Sequence, residues 1–348
     1  MDATLAPAAP LLNEEAPLGA LAHPLTPTED FYQRTNFLVP RIHRGAWTLA
    51  VHGAVRTPLV LGWDDVRRLP ARTLAVTMEC AGNGRTRMTP LPPGHPWELG
   101  AVSTARFTGA SLRDVLERAG VEASAVEVAF AGADAGITET GRAARFERSL
   151  PLDRALDPDV LLAWEMNGEP LRPRHGHPLR LVVPGWYGVA SVKWLTEVRV
   201  LNAPFEGFFQ RERYVYRGEE GTEDGTPVTR MRVRALIARP GEGERIRIGT
   251  TAQVRGTAWS GDAPVRRVEV SVDGGATWRD ARLGAAEGAY ACVPWSHAWS
   301  PARPGRHELV ARATDGAGNV QPLESVWNEL GYGNNVVHRV TVEVVAPT

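Results

Sequence analysis

The stretch Leu74-Ala-Val-Thr-Met-Glu-Cys-Ala-Gly-Asn-Gly-Arg85 decides how this chain is read. Its first half is apolar and β-rich, the composition of a buried strand. Its second half is a turn whose glycines let the backbone approach another group closely. Cys80 sits at the joint. A thiolate there suits a soft or redox-active metal, or acts as a nucleophile, and Arg85 would favour the charged form. A buried structural cysteine is the remaining alternative. The other cysteine, Cys292, lies in the strand-like Tyr290-Ala-Cys-Val293 and reads as core.

Working outward, Trp47 to Gly53 reads as a strand running into a turn, and Trp63 to Leu69 as a short helix stopped by Pro70. Ser111-Leu-Arg-Asp114 reads as a capping box. It opens a helix with Leu112, Val115, Leu116 and Ala119 on one face and Gly120 as its stop. Leu161 to Met166 and Leu179 to Val183 are apolar and read as buried. Strands and helices alternate irregularly, which predicts an α+β fold rather than a doubly wound one.

Gly218-Glu-Glu-Gly-Thr-Glu-Asp-Gly225 is acidic and glycine-rich, and reads as a solvated linker. Beyond it helical signals vanish. Arg267 to Val272 alternates with period two and meets the turn Asp273-Gly274-Gly275, and Arg306 to Thr314 is a further strand. With Trp259, Trp278, Trp295 and Trp299, these short strands predict an antiparallel sandwich. The expected division is a flexible tail over 1–24, a mixed α/β domain over 25–222 and an all-β sandwich over 223–348.

Composition narrows the chemistry. The 348 residues exceed what one core usually holds. A formal net charge of -1 leaves no broad basic surface, so nucleic acid is not an expected partner. Any anion site must be a local cluster of Arg and Lys. Two cysteines exclude a disulfide framework and a Cys-rich zinc or iron–sulfur site. His175 and His177 have spacing that would suit metal ligands, but no third ligand is evident. The first 27 residues lack the basic start and apolar core of a secretory signal, and no run reaches the roughly 20 apolar residues of a membrane span. A cytoplasmic protein is expected.

With these residues in view, Met78 to Arg85 resembles the cysteine loop of the sulfite oxidase family of molybdopterin oxidoreductases. Further blocks resemble that family in order: Trp97 to Gly109, Ala163-Trp-Glu-Met-Asn-Gly-Glu-Pro170, His175-Gly-His-Pro-Leu-Arg-Leu-Val-Val-Pro184 and Ser191-Val-Lys-Trp-Leu195. Gly256 to Gly261 and Val268 to Trp278 are similar to its immunoglobulin-like dimerisation domain. The resemblance implies Mo-molybdopterin with Cys80 as the protein's metal ligand and a homodimer. It implies Arg34, Arg85, Trp97 and Tyr216 at the substrate, with Tyr214 as the alternative to Tyr216. Asn36, Asp134, His175, Arg180 and Lys193 are the implied cofactor contacts. The expected activity is oxidation of sulfite, a small oxyanion, with two electrons passed to an external acceptor. No haem domain or c-type haem motif is evident in the chain.

Three positions depart from the animal members. Asn36 replaces His, Gly84 replaces Arg, and Leu330 in Trp327-Asn-Glu-Leu330 stands where a pocket arginine is found. Loss of one charge-assisted hydrogen bond typically costs about 1.5–3 kcal/mol, which leaves room for a less charged substrate. Reduction of a sulfoxide or nitrate is therefore a competing expectation, as is a non-catalytic interaction protein built on the sandwich.

Overall fold

A computed structural model describes residues 11–346. The first half contains two five-stranded sheets. In one, Ala71–Glu79 pairs antiparallel with Val102–Ser111, which pairs in turn with Leu161–Met166. Arg180–Val182 and Glu169–Pro170 complete it from the far side of Leu161–Met166. In the other, Thr48–Gly53 pairs parallel with Leu195–Leu201, and the remaining neighbours are antiparallel. A mixed sheet of this kind fits the expected α+β class.

The helices are short: Trp63–Arg67, Leu112–Ala119 and Leu152–Ala155. Leu112, Val115, Leu116 and Ala119 are buried on one face, and Gly120 closes the helix at φ 70°. The expected capping box is not formed. Ser111 makes no side-chain cap bond, and its buried hydroxyl has no partner. The reach-back bond occurs at the earlier helix, where the Gly62 amide donates to Asp65 Oδ2 at 2.8 Å.

The second half is a sandwich of a four-stranded and a five-stranded sheet. Ala252–Trp259 lies between Arg234–Arg239 and Val293–Trp299, and Gly305–Asp315 lies between Val265–Ser271 and His338–Val345. Val254, Val268, Leu309, Ala311 and Trp295 fill the space between the sheets. Trp259 and Trp299 are also buried, whereas Trp278 is half-buried, with the Arg312 guanidinium 4.4 Å from its ring.

Two boundary expectations change. The flexible tail expected over 1–24 is folded from residue 11 onward, and residues 1–10 lie outside the described part. Asn13–Glu14 forms a short strand against Gln33–Arg34, and the Glu15 carboxylate accepts from the amides of Glu98 and Gly100 at 2.6 and 2.7 Å. The acidic stretch at 218–225 is not an open linker either. It turns the chain back on itself, with the Tyr216 amide donating to Thr226 O and the Val228 amide to Tyr214 O. Glu219 is buried there, ion-paired with Arg232 and accepting from Asn328 Nδ2 at 2.9 Å.

Candidate functional site

The cysteine loop follows from strand ending and backbone geometry. Residues 75–79 of Ala71–Glu79 are buried, so Cys80 emerges from the sheet inside the protein rather than at its surface. The Cys80 amide donates to Ala101 O at 2.8 Å, and the Asn83 amide donates back to Cys80 O at 2.9 Å, which closes the turn. Gly84 takes φ 78°, a left-handed value that side chains resist. Cys80 lines a cavity that opens to solvent.

Other lining residues carry positive charge. Arg180, at the start of Arg180–Val182, is buried and donates to His175 O at 3.1 Å and Ser191 O at 3.3 Å. Lys193 Nζ donates to the carbonyls of Arg34 and Arg174, both at 3.1 Å. Arg34 bonds Asn13 Oδ1 at 3.2 Å, Asn36 Oδ1 at 3.0 Å and Thr35 O. These cations meet neutral oxygens, while Arg174 alone of the group reaches a carboxylate, Glu14 at 3.4 Å. Arg180 is buried and Arg34 and Lys193 half-buried; a buried cation without counter-charge is costly, so this wall is suited to an anion brought from outside.

Electrostatics reflect the same poverty of counter-charge. Burial and the neighbouring Arg180 pull Lys193 down to about 7. Burial, then Arg180 and Lys193, hold His175 at about 3, which keeps its imidazole neutral. Burial pushes Asp134 up to about 7 against the pull of Lys193. Asp134 Oδ1 and Arg180 Nε are buried without partners, and both belong to residues that face the cavity. An unpaired acceptor and an unpaired cationic donor match a pterin ring bearing N–H groups and a phosphate. The residues present therefore fit a molybdopterin.

The Cys80 thiol departs from the sequence expectation. Burial raises it, outweighing a hydrogen bond from Gly82 and the charges of Arg34 and Arg85, while Glu79 adds to the rise. Arg85 does not by itself deliver a thiolate here. A bound metal ion would supply the missing positive charge.

The cavity gathers Arg34, Asn36, Cys80, Asp134, His175, Arg180 and Lys193. It does not gather Arg85, Trp97 or Tyr216. Arg85 is buried behind the loop, its guanidinium donating to His95 O at 2.7 Å and Leu330 O at 3.0 Å and lying over the Tyr332 ring. Trp97 is buried in the apolar cluster that also holds Phe31 and Met78, its ring edge-on to His95 at 4.5 Å. Tyr216 is buried under Arg232, whose guanidinium stands 4.7 Å from its ring. Tyr214 takes the place expected of Tyr216: it lines the cavity and donates to Asn36 Oδ1 at 3.1 Å. Leu330 packs its side chain on the core.

Sequence reading missed Tyr32 and Arg174, which also line the cavity. The basic run Arg172-Pro-Arg-His175 was a usable signal for Arg174; nothing local marks Tyr32. His175 sits on the 3-10 turn Pro173–His175 rather than a strand, and its Nε2 lies 3.3 Å from Thr28 O. Among the described residues, no cluster of three His, Cys, Asp or Glu could hold a metal ion.

Comparison with known proteins agrees with this geometry. Residues 36–209 match the oxidoreductase molybdopterin binding domain, and residues 226–345 match the Mo-co oxidoreductase dimerisation domain. Mitochondrial sulfite oxidase of Homo sapiens is 38% identical over 96% of this chain, and sulfite oxidase of Arabidopsis thaliana is 33% identical over 95%. The match covers 92% of the plant protein but 65% of the human one, so this chain spans about two-thirds of its mammalian relatives. The crystal structure of sulfane dehydrogenase SoxCD from Paracoccus pantotrophus superposes with a TM-score of 0.81 at 28% identity, covering 93% of this chain and 82% of that one.

Proposed function

Since the chain belongs to the sulfite oxidase family of molybdopterin oxidoreductases, we propose that it oxidises sulfite to sulfate and passes two electrons to an external acceptor. Water supplies the added oxygen, and two protons are released with the two electrons. One observation carries the reading. A lone cysteine shares one cavity with the buried Arg180 and the half-buried Arg34 and Lys193, none of which is ion-paired to a carboxylate.

When bound, the molybdenum centre supplies oxygen-atom transfer and accepts the electron pair. The chain supplies placement and charge. Cys80 would hold the metal. Arg180 and Lys193 would bind the phosphate, with Asp134 accepting from the pterin, and His175, whose Nε2–H is committed to Thr28 O, would offer its other ring nitrogen as a neutral acceptor. Arg34 presents a fixed cation to the oxyanion, and the Tyr214 hydroxyl donates toward a substrate oxygen. Arg85 braces the loop from behind.

The acceptor is a separate redox carrier. A homodimer through the sandwich is supported by the dimerisation-domain match. Work in the cytoplasm is supported by two free, buried cysteines. The test is sulfite-dependent reduction of an artificial acceptor by protein of verified molybdenum content. Turnover supports the reading. Inert, fully loaded protein that instead reoxidises on adding a sulfoxide or nitrate would replace it with a reductase.

A further inference from the structure

The cysteine loop is gripped from the other half of the molecule. Glu79, immediately before Cys80, is buried in a strand end, with a side chain 2% exposed. Its Oε1 accepts from Arg234 Nη1 at 2.8 Å and Asn83 Nδ2 at 3.0 Å, and its Oε2 accepts from Trp259 Nε1 at 2.9 Å. Arg234 and Trp259 stand opposite one another in register on adjacent strands of the sandwich. The same Arg234 Nη1 donates to Asn83 O at 3.2 Å and Asn334 O at 2.9 Å, and Asn334 Nδ2 donates to Gly84 O at 2.7 Å. Gly84 is required by this arrangement, since a Cβ there would lie 2.6 Å from Arg234 Nη2.

We infer that the sandwich is part of the active site at one remove: Arg234 and Trp259, through Glu79, are positioning residues for Cys80. The inference rests on Cys80 as the metal ligand. Two facts favour positioning over bulk stability. The contacts converge on the residues flanking one thiol, and a buried ion pair is a weak source of net stability that an apolar pair can match. What it does supply is direction. Both carboxylate oxygens are held by donors fixed in the sandwich, and the Cys80 carbonyl is held by Asn83, which the same carboxylate orients.

The test uses the full chain with Cys292→Ser, leaving Cys80 as the single thiol. A small methanethiosulfonate reagent is applied to cofactor-free protein, and the limiting rate at high pH is measured. In Glu79→Leu/Arg234→Met both charges go and apolar volume remains. Its limiting rate is expected to rise at least about fivefold as the loop loosens, with a smaller rise, about twofold, in Trp259→Phe. Val254→Ala, deep in the sandwich but remote from the clamp, should lower thermal stability and leave the rate unchanged. In molybdenum-loaded protein, the thiolate-to-metal charge-transfer band should shift in the double variant and not in Val254→Ala.

A folded double variant with wild-type rate and band overturns the inference, as does an equal rise in Val254→Ala. If the double variant does not fold, Trp259→Phe decides by the same criteria. Protein that takes up no molybdenum would sink the proposed function, while the thiol rates would still decide the clamp.

Discussion

Replacing Tyr214 by Phe separates the reading of the cavity from the reading of the sequence. The hydroxyl donates to Asn36 Oδ1 at 3.1 Å, and Asn36 keeps a second donor in Arg34 at 3.0 Å. The resting protein therefore loses one long, neutral hydrogen bond, about 0.5–1.5 kcal/mol. In the catalytic complex the same hydroxyl faces a charged oxygen, where a hydrogen bond contributes about 1.5–3 kcal/mol. Because the free enzyme loses the Asn36 bond as well, the net loss is about 1–1.5 kcal/mol, and at about 1.36 kcal/mol per factor of ten kcat/KM for sulfite should fall roughly 5- to 13-fold in Tyr214→Phe. Tyr216→Phe should stay within about twofold, because its ring is covered by Arg232 and does not reach the cavity. The assay is steady-state reduction of an artificial acceptor, normalised to molybdenum. A large loss in Tyr216→Phe with near-normal Tyr214→Phe would refute the assignment.

Asp134→Asn should stabilise the cofactor-free chain in a pH-dependent way. The folded carboxyl sits at about 7 against an ordinary 3.8, so its penalty is absent near pH 4 and complete above pH 7. The gain, read by denaturant melts, should grow over that window to at most about 4 kcal/mol. Lys193→Met should behave oppositely, gaining below about pH 7 and losing its advantage toward pH 10.5. Leu309→Ala, at a fully buried sandwich position, should cost about 2–5 kcal/mol in melts without changing kcat per molybdenum. Light scattering should give twice the 37.8 kDa chain mass, and a monomer at micromolar concentration would remove the dimer.

What could be read from the sequence was local. The Cys80 loop announced itself because an apolar strand ending in a glycine turn is a contiguous signal. The helix at Leu112–Ala119 and its Gly120 stop were legible for the same reason. The choice between Tyr214 and Tyr216 was not. Two residues apart in extended chain, they share a local setting, and only the packing of Arg232 over one and Asn36 beside the other tells them apart. Arg85 looked like a substrate cation because its charge is local, whereas the carbonyls that occupy it come from His95 and Leu330. Glu219 read as solvated because Arg232 and Asn328, its partners, are distant in sequence. The folded part of the N-terminal segment was hidden likewise, since Glu15 finds its amides at Glu98 and Gly100.

The most direct test of Cys80 as the metal ligand is X-ray absorption at the molybdenum edge on loaded protein, wild type beside Cys80→Ser. One sulfur fewer around the metal in the variant, with cofactor still bound, is the expected result. An unchanged sulfur count would mean that Cys80 does not hold the metal, and the cavity's chemistry would have to be assigned anew.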